Sequence, residues 1–112
     1  MKTINELEEY ITYSFPSLYR SFLIKLNNEE SLEIENTGIN LYGISTLIER
    51  NTTYEVMEYE PDYFLIGQEG DLAFFIKKNN EENIFSNDLG ALGSLDMEFE
   101  ADNIENFIQQ NS

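Results

Sequence analysis

Apolar residues recur at helical spacing near the start of the chain. Thr3 and Glu6 form a capping-box pattern, so a helix is predicted over residues 4–12. Pro16 suits a helix start, and a second helix is predicted over residues 17–27, ending at Asn27-Asn28. The residues predicted to face the core are Ile4, Leu7 and Ile11 in the first helix, and Leu18, Phe22 and Leu26 in the second.

The middle of the chain is dominated by short extended segments. Residues 63–67 and 72–76 are apolar runs separated by a Gly-Asp turn, and this pattern predicts a buried β-hairpin. Shorter strands are predicted over residues 31–36, 39–42 and 84–86. A short helix is predicted to begin at Ser45 or Thr46, and a second capping box at Thr52-Thr53-Tyr54-Glu55 predicts a helical turn to about Tyr59.

Residues 95–102 alternate strictly between apolar and acidic side chains. The alternation predicts a strand with Leu95, Met97, Phe99 and Ala101 facing inward. Asp102 is predicted to cap a closing helix. These elements together predict one α+β domain over residues 1–112, with a central, mainly antiparallel sheet flanked by N-terminal helices and a C-terminal helix.

Composition narrows the function classes. The chain has 112 residues and a net charge of −16, and it contains neither cysteine nor histidine. These absences exclude disulfides, serine–histidine triads and histidine- or thiolate-ligated metals within the chain. Such an acidic chain is unsuited to direct binding of nucleic acid or anionic membrane. With no apolar run of signal-peptide or membrane-span length, the sequence predicts a cytoplasmic protein.

Several segments of the chain match a known family pattern. They are Phe15-Pro16 with Tyr19, Phe22 and Leu23; Leu41-Tyr42-Gly43 with Leu47; residues 61–67 with Glu69-Gly70-Asp71 and Phe74-Phe75-Ile76; Ile84-Phe85 through Asp88-Leu89-Gly90; and Ile104, Phe107 and Ile108. With these segments the chain resembles the SUKH superfamily, which is shared by fungal cell-wall regulators and bacterial toxin-immunity proteins. The resemblance implies an α+β fold and, in bacteria, a non-enzymatic immunity protein that blocks a toxin, often a nuclease.

Acidic side chains supply the first candidate binding surface. Residues 79–112 carry eight acids and no lysine or arginine. A row of carboxylates on one face of the predicted strand over residues 95–102 can pair with the lysines and arginines of a basic cleft. The alternative is an ordinary solvated sheet face. The residues of this row that are predicted to bind a partner are Asp96, Glu98 and Glu100.

A second candidate surface combines loop acids with tyrosines. A hairpin tip carrying Glu69 and Asp71 is exposed and suited to binding, although both residues also fit ordinary turn chemistry. Tyrosine can bury its ring and keep its hydroxyl in water, which suits Tyr42, Tyr54, Tyr59 and Tyr63 for recognition or for half-buried packing. Phe64, Phe74, Phe75 and Phe99 are predicted to lie in the core. The remaining predicted binding residues are Glu58, Glu60, Asp62, Tyr59 and Tyr63.

These observations converge on a binding function without a cofactor or a metal. The acids do not match the spacing of a calcium-binding loop, and no glycine-rich phosphate loop or nucleophile elbow is present. The leading hypothesis is a non-enzymatic immunity protein that neutralises a cationic toxin domain of the nuclease class through its acidic surface. The alternative is a regulatory adaptor or scaffold domain that binds a protein or peptide with no toxin involved.

Overall fold

One antiparallel sheet organises the molecule. A computed structural model describes residues 3–26, 30–79 and 81–112. Each strand pairs with the strand next to it in sequence, so the sheet is a simple meander. Its strands are β1 (Ser31–Ile34), β2 (Ile39–Tyr42), β3 (Tyr63–Glu69), β4 (Leu72–Lys77), β5 (Ile84–Asp88) and β6 (Glu98–Ala101). The α+β fold predicted from the sequence is confirmed.

Helices surround this sheet at the positions expected from the sequence. The capping box at Thr3 and Glu6 is formed, since each residue's side chain accepts a hydrogen bond from the other's backbone N–H at 3.2 Å. The predicted end of the second helix at Asn27-Asn28 lies outside the described residues. The α-helices are α1 (Ile4–Ile11), α2 (Ser17–Leu26), α3 (Ile44–Thr53), α4 (Val56–Tyr59) and α5 (Ile104–Gln110), and a 3-10 turn spans Leu89–Ala91.

The second predicted capping box is wrong. Thr52 lies inside α3, which begins at Ile44 and runs on to Thr53. Glu55 adopts a left-handed backbone conformation with a φ of 54°, and this residue separates α3 from α4. The local pattern at Thr52 is compatible with an N-cap. Because α3 continues through this residue, however, the backbone N–H groups that a cap would bond already donate within the helix.

The inward face of α2 also differs from the prediction. Tyr19 and Leu23 are fully buried, whereas Leu18, Phe22 and Leu26 are half-buried. The helix is oriented by a distant residue, because the Glu82 carboxylate accepts hydrogen bonds from the backbone N–H groups of Leu18 at 2.9 Å and Tyr19 at 3.4 Å. A carboxylate at this position also interacts favourably with the positive end of the helix dipole.

The core is concentrated on β3 and β4, whose central residues are buried on both faces. On one face the Phe64 ring lies 5.5 Å from that of Phe15, and the Phe74 ring lies 4.8 Å from that of Phe107 in α5. Phe75, on the other face, is fully buried and its ring lies 6.3 Å from that of Tyr63. The predicted core positions Phe64, Phe74 and Phe75 are confirmed.

A side chain of α3 completes the hydrogen bonding of β3. β2 pairs with β3 only at Asn40–Gln68 and Leu41–Gly67, so the first half of β3 extends past its neighbour. The side chain of Asn51 hydrogen-bonds this unpaired part of β3. It accepts from the N–H of Leu65 and donates to the C=O of Leu65, each at 2.9 Å. α3 is thereby fixed to the sheet through bonds of the kind that a neighbouring strand would make.

Candidate functional site

The alternating segment at residues 95–102 forms a shorter strand than its pattern predicts. β6 covers only Glu98–Ala101 and pairs with β5 alone, so it is an edge strand with an irregular register beside Ile84. Phe99 is 58% exposed and Leu95 is 61% exposed, and their predicted inward placement is therefore wrong. Among the described residues no strand lies beyond β6 to cover this edge, and the irregular register breaks the alternation that the sequence displays.

The acidic members of the segment also differ from one another. Glu100 is half-buried and accepts a hydrogen bond from the Ser86 hydroxyl at 2.6 Å, so this carboxylate belongs in part to the fold. Asp102 does not cap α5, because Asn103 occupies that position and its side chain accepts from the N–H of Asn106 at 2.8 Å. Asp96 and Glu98 are exposed, and they are the predicted binding residues of this segment that remain open to a partner.

The sheet brings acids from separate segments to one end. Glu69 and Asp71 flank the tight turn between β3 and β4, as predicted. Asp88 stands beside them, because it pairs with Leu72 across the strands and the N–H of Leu89 donates to the C=O of Asp71 at 2.8 Å. Glu98 lies at the same end of the sheet, since it pairs with Ser86 of β5. We call this surface the acidic end: it comprises the exposed residues Glu69, Asp71, Asp88, Asp96 and Glu98.

An open cleft of about 460 Å³ lies within the acidic end. Leu95 and Leu72, the latter 38% exposed, supply apolar surface, and Met97 lies half-buried in the lining. Asp88, Asp96 and Glu98 also line this cleft. A cleft with aliphatic walls and carboxylates suits the long stem and charged head of an arginine or lysine. Sequence reasoning missed Asp88 and Leu72, which strand pairing brings together, and the exposure of Leu95, which lies outside β6.

The other predicted binding residues lie at the opposite end of β3. Glu58 and Asp62 are exposed there, while Glu60 is half-buried and accepts a hydrogen bond from the N–H of Gly93 at 2.8 Å. β3 runs seven residues from Tyr63 to Glu69, which corresponds to roughly 20 Å. The structure therefore separates this group from the hairpin tip, although the sequence predicts one binding surface for both.

The candidate tyrosines fall into different environments. Tyr59 is 47% exposed, and Tyr63 is half-buried with its ring 5.6 Å from that of Phe85. Tyr54 is also half-buried. Tyr42 is buried and its hydroxyl donates to Gln68, so of the two roles left open for this residue the structure shows packing. Burial raises the pKa of Tyr42 above its ordinary value, while the nearby Arg50 acts in the opposite direction.

Cations are sparse: Arg50 lies beside the hairpin turn, whereas Arg20, Lys77 and Lys78 lie away from the acidic end. Arg20 pairs with Glu8 at 3.2 Å on the helical side of the molecule, and Lys77 and Lys78 lie at the end of β4 opposite the hairpin turn. Burial lowers the pKa of Lys78, and the nearby Asp62 acts in the opposite direction. Within residues 3–26, 30–79 and 81–112, no carboxylate of the acidic end forms a salt bridge. These charges are therefore available to a partner.

The described part of the chain gives no indication of a metal centre or a membrane span. None of its acids form a group of three or more arranged to hold a metal ion. Its helices are all too short or too polar to traverse a lipid bilayer.

Comparison with known proteins gives one informative similarity. No family model matches the chain. The chain is 30% identical over 80 residues to the uncharacterized protein YnaB of Bacillus subtilis (strain 168). The similar region covers 71% of this chain and 51% of that protein, so the chain spans about half the length of the curated relative it matches.

Proposed function

We propose that this protein is a SUKH-type immunity protein, which binds a cationic toxin domain of the nuclease class and blocks it without catalysis. The gathering of exposed carboxylates around Leu72 and Leu95 at the acidic end carries this proposal. The α+β fold with a central antiparallel sheet is also what the resemblance to that superfamily implies.

Electrostatics gives this surface a role in partner capture. Like charges gathered at one end of the sheet repel each other, but they attract a basic surface over about 10 Å at moderate salt. A nuclease domain has such a basic surface because it must hold a phosphate backbone. Carboxylates can occupy the same lysines and arginines, so the bound protein would exclude nucleic acid from the toxin's cleft.

Apolar groups would then hold the complex together. Exposed charges mainly set the rate of encounter, whereas desolvated apolar anchors lower the rate of dissociation. Leu95 is a suitable anchor because it is 61% exposed and stands between carboxylates in the cleft. The proposal therefore assigns different kinetic effects to the acids and to Leu95.

The first test is genetic context followed by co-expression. We expect a gene for a secreted protein with a C-terminal toxin domain immediately upstream, and we expect the present protein to restore growth when co-expressed with that domain. A complex should elute as one species on gel filtration. Failure of both rescue and complex formation would refute the immunity proposal, and an isolated gene would favour an adaptor that binds a protein or peptide.

The second test uses charge-matched variants. Asp96→Asn with Glu98→Gln should slow association with the toxin domain by about 3–10-fold at low salt and have little effect at high salt. Glu58→Gln with Asp62→Asn removes the same charge from the opposite end of β3 and is the control. Leu95→Ser should instead raise the dissociation rate. Equal slowing by both charge pairs would mean that net charge, not the acidic end, attracts the partner.

A further inference from the structure

A second cleft, of about 300 Å³, lies beside the hairpin turn and contains an arginine that forms no salt bridge with any residue the structure describes. Arg50 of α3 and Tyr42 of β2 both line it, and the guanidinium carbon lies 5.9 Å from the centre of the Tyr42 ring. This distance is at the outer limit of a cation–π contact, which leaves the edge of the guanidinium free to donate. The cleft therefore holds a positioned cation in a protein whose net charge is −16.

The donors of Arg50 are left unused. Its Nε is buried and makes no hydrogen bond, and its terminal nitrogens donate to no atom of residues 3–26, 30–79 or 81–112. Arg20 shows the contrast, because its Nε donates to Glu8 at 3.2 Å and its Nη2 to Asn5 at 2.6 Å. Because the Nε atom is buried, a ligand in the cleft would bind the two terminal nitrogens of Arg50.

Neighbouring polar side chains complete a receptor for an oxyanion. Asn40 and Ser31 line the same cleft, and neither side chain makes a hydrogen bond within the described part of the chain. Cross-strand pairing places Ser31 opposite Tyr42 and Asn40 opposite Gln68, so these groups share one face of the sheet. Gln68 is already engaged with Tyr42 and with the C=O of Gly70. The free donors are thus those of Arg50, Asn40 and Ser31.

We propose that this cleft binds a carboxylate group, held by the fork of Arg50 with Asn40 and Ser31 as additional donors. A planar carboxylate matches the paired donors of a guanidinium better than a spherical anion does. Glu30 also lines the cleft, and its negative charge repels an incoming anion. The affinity of the cleft for a carboxylate is therefore low and should rise when this charge is removed. The carboxylate comes either from a small carboxylic acid or from an acidic side chain of a bound peptide.

The experiment observes Arg50 directly. The chain has two arginines, so the two Nε–H signals in a ¹H–¹⁵N spectrum are assigned with Arg20→Lys and Arg50→Lys variants. Sodium acetate is titrated at constant ionic strength against sodium chloride. We expect a saturable shift of the Arg50 signal in the millimolar range, no comparable shift of the Arg20 signal, and several-fold tighter binding in Glu30→Gln.

A blocked tripeptide, acetyl-Gly-Glu-Gly-amide, distinguishes the two sources of the carboxylate. Tighter binding of this peptide than of acetate indicates an acidic side chain, and equal binding indicates a small carboxylic acid. A linear drift of both arginine signals, or an equal shift with chloride, overturns the proposal. The titration uses the isolated protein, so its outcome is independent of whether a toxin partner exists.

Discussion

Replacing Asn51 tests how the fold closes the exposed edge of β3. The Asn51 side chain bonds both the N–H and the C=O of Leu65 at 2.9 Å, and Leu65 is fully buried. Asn51→Leu keeps the branching at Cγ and removes both bonds without leaving a cavity, so the cost comes from lost hydrogen bonding together with some crowding by the larger side chain. Asn51→Ala removes the same bonds and also leaves space.

The expected loss follows from the groups left without partners. Each buried backbone group that loses its hydrogen bond lowers the free energy of unfolding by about 1–3 kcal/mol. The better helix propensity of leucine offsets roughly 0.5 kcal/mol of this loss. The free energy of unfolding should therefore fall by about 3 kcal/mol in Asn51→Leu. This is a large share of the roughly 5–15 kcal/mol that stabilises a domain, and it should lower the melting temperature by about 10–20 °C.

Urea unfolding followed by circular dichroism measures this loss, with hydrogen exchange of the Leu65 amide as a local readout. Asn106→Ala is the control, because Asn106 is exposed on α5 and the change should stay within about 0.5 kcal/mol. An Asn51→Leu protein as stable as the wild type, with a protected Leu65 amide, would show that the edge is closed by other means.

Two further predictions concern α2. Glu82→Ala removes the carboxylate that accepts from Leu18 and Tyr19, so the free energy of unfolding should fall by about 1–2 kcal/mol, whereas the exposed neighbour Glu81→Ala should change it little. Burial raises the pKa of Tyr19 well above its ordinary value, so the unfolded state loses its phenolic proton first and stability falls as the pH rises above about 10. Tyr19→Phe should lessen that alkaline loss, measured by urea unfolding across pH, and its neutral-pH stability should match or exceed the wild type, since the Tyr19 hydroxyl has no partner in the described chain. An equally steep alkaline loss in the variant would contradict this assignment.

The sequence alone determined the elements and the class of the fold. The capping box at Thr3, the turn at Gly70-Asp71 and the apolar runs of β3 and β4 are local signals, because their information lies within a few residues. Helix starts, tight turns and buried strands are governed by such short-range constraints. The boundaries of most elements therefore agree with the prediction within a few residues.

Tertiary structure decided which side chains are exposed and which acids stand together. Phe99 and Leu95 fit an inward pattern, yet both face solvent, because Phe99 lies on the edge strand β6 with its irregular register and Leu95 lies outside that strand. Glu82 and Glu100 look like any other surface acid in the sequence, but each accepts hydrogen bonds from a distant segment. The acidic end exists because strand pairing brings acids from separate segments to the same end of the sheet. Such pairing depends on contacts between residues far apart in the chain.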